Sequence, residues 1–335
     1  MSALHLSLFS QPEMEQIAEH LFEQAPSLRV LSIHSRRCMH TLDIPPAFLG
    51  GSFPSLRTLF MEGISSFSGP HTFPSVTSLT LNTNSDVPLD TASLLNALER
   101  LPSLETVFIE FRAWAAPLSI TGDRTVTLQN LREMSLLSKN DTRNACMGPI
   151  LSRLHLPKLE RLEVYSDSTL ESHGPCFPLS FTNQLPNFSE LPEATIIIDS
   201  SWCSVHFQGE RQHALGISIG QPSSFEETRE LLGGLPLRSV RSLTVGFTER
   251  SDREFLFGLL GAMDGVKDLV VRGDWTLLLR FWREGRERKR HCPALRKLTV
   301  HGEEGSEPEL GAFEDARRDV GLPLTATYVL RVEGD

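Results

Sequence analysis

The chain has 335 residues, a formal net charge of −10 and a pI near 5.6. This acidic balance argues against a broad nucleic-acid interface and against an anionic membrane surface as the main partner. No apolar run approaches the roughly 18 residues needed to span a bilayer. Hydrophobic residues at 40% and charged residues at 22% are typical of a folded chain rather than a disordered one.

A short phrase recurs along the chain. It begins with a Pro or polar pair and continues with Leu, two variable residues, Leu, one variable residue and an aliphatic. The first copies are residues 26–33 (PSLRVLSI) and 54–61 (PSLRTLFM). The other copies are residues 74–81, 102–109, 129–136, 157–164, 238–245, 264–271 and 293–300.

The first aliphatic of each phrase defines a period. These residues are Leu28, Leu56, Val76, Leu104, Leu131, Leu159, Val240, Val266 and Leu295, with successive differences of 28, 20, 28, 27, 28, 81, 26 and 29. All but the 81-residue step fall in the period of 20–29 residues that is typical of leucine-rich repeats. The pattern predicts an α/β leucine-rich-repeat solenoid over residues 1–335, a single domain of roughly eleven to thirteen repeats. Its curved parallel sheet would form the concave face, with helices and irregular turns on the convex face.

The segments between phrases are predicted to return the chain to the same sheet edge, because parallel strands need such crossovers. Apolar periodicity predicts helices over residues 12–24, 91–100, 225–233, 252–263 and 275–289. Asp90 and Ser251 stand where helix N-caps are expected. Residues 65–73 are too short and too rich in Gly, Pro and Ser for a helix.

The 81-residue step predicts an irregular insert at about 166–236. Two degenerate repeats are expected inside it, at residues 194–198 (ATIII) and 214–219 (ALGISI), and residues 204–207 (SVHF) predict a hairpin strand laid on the array. At the ends, residues 3–9 (ALHLSLF) predict the strand of a further repeat, and residues 324–332 (LTATYVLRV) predict a closing edge strand.

The phrases at residues 101–107 (LPSLETV), 156–164 (LPKLERLEV) and 292–300 (CPALRKLTV) resemble the leucine-rich-repeat region of fungal F-box proteins, and so does the segment 191–209. The resemblance covers residues 21–332, approximately. It implies a substrate-recruiting subunit of a cullin-type ubiquitin ligase, in which an F-box grips the ligase adaptor and the repeats hold the substrate. The F-box itself is not visible, because residues 12–17 (PEMEQI) run straight into the repeat at Leu28. The alternative is a structural or regulatory scaffold with no ubiquitin role.

The variable positions beside the spaced aliphatics are predicted to face the concave side and to bind a protein partner. Phe60 and Phe108 would be aromatic anchors there, unless a neighbouring loop covers them. Acidic residues dominate the first half of the face and basic residues the second, which suits a ligand with a basic and an acidic end or an ordinary solvated sheet face. The candidate partner-binding residues are Phe60, Glu62, Thr80, Phe108, Glu110, Glu133, Arg161, Glu163, Tyr165, Arg272, Lys297 and His301.

Motifs of catalysis and metal binding are absent from the sequence. Neither GxSxG nor a Gly-rich phosphate loop occurs. An enzyme is therefore a distant alternative, which a buried polar cluster in the insert would favour. His34, Cys38 and His40 lack a second cluster that would complete a zinc site, so we expect no metal or cofactor. The basic run at residues 283–291 indicates a solvated helix face rather than a localisation signal.

The cysteines indicate the compartment. They are five in number, widely scattered and without a CxxC pair, a pattern typical of reduced thiols rather than a disulfide framework. The first ten residues lack the basic lead and apolar stretch of a signal peptide. The sequence therefore predicts a cytoplasmic or nuclear protein.

Overall fold

The computed structural model describes residues 2–8, 10, 12–13, 15–17, 25–35, 42–44, 53–67, 73–83, 91–111, 125–138, 148–166, 188, 191–198, 202–209, 214–220, 237–247, 264–273, 292–302, 307–319, 321–322 and 324–330. These residues fall into two compact units. Unit 1 contains the described residues up to Ser166, and unit 2 contains those from Phe188 onward. The division falls within the predicted insert at about 166–236.

Unit 1 is a solenoid of parallel strands. Its main sheet follows the chain in the order β1 (Ala3–Leu8), β2 (Val30–Ser35), β4 (Thr58–Glu62), β6 (Ser78–Asn82), β7 (Thr106–Phe111), β9 (Glu133–Ser138) and β11 (Arg161–Ser166). Two short parallel pairs lie in the connections: β3 (Leu42–Ile44) with β5 (Ile64–Phe67), and β8 (Val126–Thr127) with β10 (Leu154–His155). Every predicted strand phrase before residue 166 therefore contributes a strand, and so do residues 3–8 of the segment predicted at 3–9.

The aliphatics of the phrase form ladders in the core of unit 1. Alternate strand side chains point to opposite faces, so a parallel register stacks equivalent positions of successive phrases. The first ladder is Leu28, Leu56, Val76, Leu104, Leu131 and Leu159; the second is Leu31, Leu59, Leu79, Val107, Met134 and Leu162; the third is Ile33, Met61, Leu81, Ile109, Leu136 and Val164. None of these side chains exposes more than 4% of its surface.

A tight turn precedes each main strand from β2 onward in unit 1. The amide of the first ladder residue donates to the carbonyl three residues earlier, as in Leu56 N to Phe53 O at 3.1 Å and Leu104 N to Leu101 O at 3.2 Å. Proline suits the second position of such a turn because its ring fixes φ near the required value. The polar residue of the phrase then bonds the preceding coil: Ser103 Oγ donates to Pro74 O at 2.5 Å.

Helices in unit 1 lie between strands. The helix predicted over residues 91–100 is α1 (Thr91–Glu99), which buries Leu94, Leu95 and Leu98, and a second short helix is α2 (Gly148–Leu151). Residues 12, 13 and 15–17 of the helix predicted at 12–24 are helical. The helices predicted at 225–233, 252–263 and 275–289, together with Asp90 and Ser251, lie outside the described residues.

Unit 2 combines a parallel array with an antiparallel hairpin. Its strands are β12 (Glu193–Ile198), β13 (Trp202–Gln208), β14 (Ala214–Gly220), β15 (Ser242–Phe247), β16 (Asp268–Arg272), β17 (Lys297–Gly302) and β18 (Thr325–Leu330), and the spatial order is β14-β13-β12-β15-β16-β17-β18. A 3₁₀ turn (Leu237–Ser239) leads into β15. β12, β15, β16, β17 and β18 are parallel, and β13 is antiparallel to both β12 and β14.

The insert differs from its predicted arrangement. Residues 194–198 and 214–219 are strands, but they do not stack as successive parallel repeats, because β13 lies between them in the sheet. The predicted strand at 204–207 is likewise a member of the sheet rather than a strand laid on it. The physical reason is the length of the links: residues 199–201 and 209–213 are too few for a parallel crossover of about a dozen residues.

A helix that the sequence analysis missed precedes the last strand of unit 2. α3 (Glu307–Asp319) buries Leu310, Phe313 and Arg317, whose spacing of three and four residues places them on one face. Its Glu314 carboxylate accepts a hydrogen bond from the amide of Ala326 in β18. Within the part of the chain that the structure describes, no helix is long and apolar enough to cross a membrane.

Candidate functional site

The residues between the ladder aliphatics form a second surface of unit 1, here called its non-core face. The parallel register arranges them in three rows across β2, β4, β6, β7, β9 and β11. The first row is Val30, Thr58, Ser78, Thr106, Glu133 and Arg161; the middle row is Ser32, Phe60, Thr80, Phe108, Ser135 and Glu163; the last row is His34, Glu62, Asn82, Glu110, Leu137 and Tyr165. All nine candidate residues of the first half therefore lie on one face of one sheet.

Aromatic side chains on this face are partly exposed. Phe108 exposes 36% of its surface and Tyr165 exposes 40%, while Phe60 is half-buried. Phe60 and Phe108 flank Thr80 in the middle row, so the two phenyl groups stand two strand spacings apart, or about 9.6 Å between backbones. An exposed aromatic side chain on an ordered sheet loses little conformational freedom when a partner binds, so it is suited to anchor that partner.

His34 connects the aromatic and acidic parts of the face. Its Nδ1 lies 2.9 Å from Glu62 Oε2. Its ring packs against Phe60 with the centroids 4.8 Å apart and the planes tilted by 35°. The His34 imidazole therefore restricts the rotamers of both neighbouring side chains. His34 is outside the candidate set, although the one-repeat separation of 28 residues from Glu62 is visible in the sequence.

Charged side chains cluster at the β9 and β11 end of the face. Arg161 donates from Nε at 3.0 Å and from Nη2 at 2.5 Å to Glu163 Oε1, and Ser135 Oγ donates to Glu163 Oε2 at 3.3 Å. The hydrogen bond and the charge of Glu163, followed by the charge of Glu133, raise the pKa of Arg161. Two carboxylates thus surround one guanidinium, and Glu133 itself is exposed.

The three rows of the non-core face of unit 1 are acidic. Its rows contain four carboxylates, from Glu62, Glu110, Glu133 and Glu163, and Arg161 is the guanidinium among them. Glu110 is 9% exposed, so it can act on a partner through the electrostatic potential of the face rather than by direct contact. Beside it, Asn82 Oδ1 is buried and accepts no hydrogen bond from the described residues. The accessible negative charge lies on Glu62, Glu133 and Glu163.

The non-core face of unit 2 has a different character. Its middle row is β-branched: Thr195, Thr244, Val270, Thr299 and Thr327. The candidates Arg272 and His301 are neighbours in the last row, whereas Lys297 lies beside Asp268 in the first row. Asp268 therefore offsets the charge of Lys297, whereas Arg272 and His301 place two basic side chains side by side.

Catalytic and metal chemistry have few candidate groups among the described residues. No group of three or more His, Cys, Asp or Glu side chains among them could hold a metal ion. Ser204 Oγ and His206 Nε2 lie 2.5 Å apart on β13, which pairs a hydroxyl with a base in the insert. Ser204 exposes only 1% of its surface, whereas His206 is exposed, so the two residues are a single pair and not the buried polar cluster that would favour an enzyme.

Comparison with known proteins adds no family to this description. A scan of protein-family models found no model that matches the chain. A search of curated proteins also found no match. The function proposed for the chain rests on the side chains of its sheet faces and on the resemblance of its phrases.

Proposed function

We propose that the chain is a leucine-rich-repeat solenoid that binds another protein on the concave face of its sheet, the side we assign to the non-core rows. The observation that carries the proposal is the exposure of Phe108 and Tyr165 on the non-core face of unit 1. Exposed aromatics among ordered polar side chains are the usual anchors of protein interfaces. The period of 20–29 residues and the three in-register ladders support the assignment to leucine-rich repeats.

The leading biological form of this proposal is substrate recognition in a cullin-type ubiquitin ligase. It is supported by the resemblance of residues 156–164 and 292–300 to the repeats of fungal F-box proteins. In that form the repeats hold the substrate and an adaptor-binding element holds the ligase. A scaffold with no ubiquitin role is the alternative, and recovery of the adaptor distinguishes the two.

Affinity capture with quantitative mass spectrometry tests the proposal. The bait is the full chain, compared with a Phe60→Ala, Phe108→Ala double variant of the face. The matched control is a Glu105→Ala, Lys158→Ala double variant, because both residues are exposed and lie in the segments that lead into β7 and β11, outside the three rows. Circular dichroism and thermal unfolding establish that all baits are folded.

Three outcomes are informative. A protein retained by the wild type and the control but lost from the Phe double variant supports binding on the non-core face. Recovery of a cullin adaptor with it supports the ligase form, whereas a Phe-dependent partner without the adaptor favours the plain scaffold. If no captured protein depends on the two phenylalanines, the proposed binding face is wrong.

A further inference from the structure

Side-chain size alternates along the middle row of unit 1. From β2 to β11 the row is Ser32, Phe60, Thr80, Phe108, Ser135 and Glu163, each in register with the next. Every small hydroxyl residue is thus followed by a large one. A small residue between two large ones leaves a notch in the surface. We name two of them the Thr80 notch, between Phe60 and Phe108, and the Ser135 notch, between Phe108 and Glu163.

The distance between these notches selects a ligand conformation. They are two strand spacings apart, or about 9.6 Å. In a polyproline II helix, residues i and i+3 point the same way and are about 9.3 Å apart. Residues on the same side of a β-strand are about 6.7 Å or 13.4 Å apart, so a bound β-strand with one side chain in the first notch has none at the distance of the second. A segment that crosses the strands along the middle row in polyproline II conformation would therefore place every third side chain in a notch.

The two notches differ in chemistry. Phenyl groups border the Thr80 notch on both sides, which suits proline or an aliphatic side chain, as in aromatic-lined grooves that bind polyproline II segments. Glu163 of β11 borders the Ser135 notch, and Glu133 lies two residues before Ser135 on β9. Arg161 donates to Glu163 Oε1 and Ser135 Oγ donates to Glu163 Oε2, so both oxygens of Glu163 are already engaged. One guanidinium for two carboxylates leaves a net negative charge, which is centred on the exposed Glu133. The remaining charge is complementary to a cationic side chain.

We propose that the middle row of unit 1 binds an extended basic segment of a partner protein, in polyproline II conformation, with an apolar and a basic residue three positions apart. The apolar residue would occupy the Thr80 notch and an arginine or lysine the Ser135 notch, in either direction of the partner chain. Arginine would be the stronger ligand, because its planar donors engage a carboxylate in pairs and stack on the Phe108 ring. This inference rests on the proposed function, since it names the chemistry of the partner for the same face.

Peptide display separates this inference from the proposed function. Random twelve-residue peptides are selected on the immobilised full chain and counter-selected on the Phe60→Ala, Phe108→Ala variant. Enrichment of peptides with an apolar and a basic residue three apart is the expected result. Enrichment of Phe-dependent peptides with another pattern overturns the inference and leaves the proposed function standing. Apolar residues seven positions apart, as on one face of a helix, would be such a pattern. Failure to enrich any Phe-dependent peptide also overturns the inference, whereas the proposed function fails only if affinity capture yields no Phe-dependent protein.

Defined peptides then test spacing and charge by fluorescence anisotropy. The probe is a labelled proline-rich decapeptide with one Leu and one Arg three positions apart, and its controls move the Arg to four positions away or replace it with Glu. We expect each control peptide to bind at least about tenfold more weakly, because the first moves the cation away from Glu133 and Glu163 and the second replaces it with an anion that these carboxylates repel. Equal binding of the three-residue and four-residue spacings would refute the assignment of the notches.

Matched variants of the protein locate the binding. Thr80→Phe fills the first notch and should weaken the probe about tenfold, whereas Thr244→Phe makes the same change in the middle row of unit 2 and should change binding less than about twofold. Both substitutions place a residue favoured in strands on a sheet surface, so folding is retained. Glu133→Gln should weaken binding about threefold to tenfold and reduce its dependence on salt. Unchanged binding by Thr80→Phe overturns the inference.

Discussion

Truncation of a core leucine tests the assignment of faces in unit 1. Leu131 lies in the first ladder between Leu104 and Leu159 and has 0% of its surface exposed. Leu131→Ala removes three carbons from a fully packed site, while the main-chain bond from Leu131 N to Leu128 O remains possible. Such truncations cost about 2–5 kcal/mol, and with the complete burial of Leu131 we expect a loss of about 3 kcal/mol.

Leu137→Ala is the matched control, because it is the same substitution on the non-core face, where Leu137 is only half-buried. We expect it to cost about 1 kcal/mol or less, since part of the side chain already contacts solvent and its truncation leaves no closed cavity. Urea unfolding gives both free energies, and amide hydrogen exchange shows whether Leu131→Ala also loosens the adjacent coils, as nearest-neighbour coupling in a solenoid requires. Equal losses for the two variants would refute the assignment of the two faces.

Substitutions at three further residues have defined outcomes. Arg317→Ala should destabilise unit 2 by about 1–3 kcal/mol, because the side chain is 1% exposed and its guanidinium donates to Cys292 O at 3.2 Å. Arg317→Met should cost less, because it keeps the packing and removes a guanidinium whose pKa is lowered by burial. Calorimetry compares the two variants, and equal losses would contradict this expectation. Burial raises the pKa of the Cys292 thiol from 9.0 to about 12, so the stability of the wild type should fall relative to Cys292→Ala as pH rises from 9 towards 12. Parallel pH profiles from urea titrations would exclude that coupling. Ser103→Ala should cost about 1 kcal/mol in urea unfolding through loss of its bond to Pro74 O, and a neutral result would show that water replaces it.

The repeat fold was predictable because the same physical problem recurs in every coil. Each phrase must turn at its Pro or polar pair, bury three aliphatics and return, so its composition is nearly invariant from Leu28 to Leu295. A parallel register then stacks like positions, and contacts between side chains recur at one repeat length. His34 with Glu62 and Ser135 with Glu163 are both separated by 28 residues. Pairs of this kind could have been read from the sequence along with the strands.

The hairpin and α3 were harder to predict for different reasons. β12 and β14 have the apolar content of repeat strands, and only the short links on either side of β13 indicate an antiparallel arrangement. In α3 the buried stripe contains Arg317, which interrupts the apolar pattern that predicts a helix. Its burial depends on the carbonyl of Cys292, a tertiary partner 25 residues away that local periodicity does not reveal.

The candidate site was predicted in position more than in detail. Strand alternation placed all nine candidates from Phe60 to Tyr165 on one face. Alternation alone does not give accessibility, so Glu110 was ranked with Glu133 although only 9% of Glu110 is exposed. The sequence also does not give the neighbours of the basic candidates in the second half. Lys297 lies in register with Asp268, whose carboxylate offsets its charge.

Site-specific photo-crosslinking tests the central claim, binding of a protein on the non-core face of unit 1, most directly. Phe108 is replaced by a photoreactive phenylalanine analogue in the full chain, and the same analogue at Glu105, an exposed residue just before β7, is the control. After irradiation in extract of the source cells, the account predicts a covalent protein adduct at position 108 that the control does not form, and that Thr80→Phe reduces. Equal adducts at both positions, or none at position 108, would contradict the claim that this face is the binding surface.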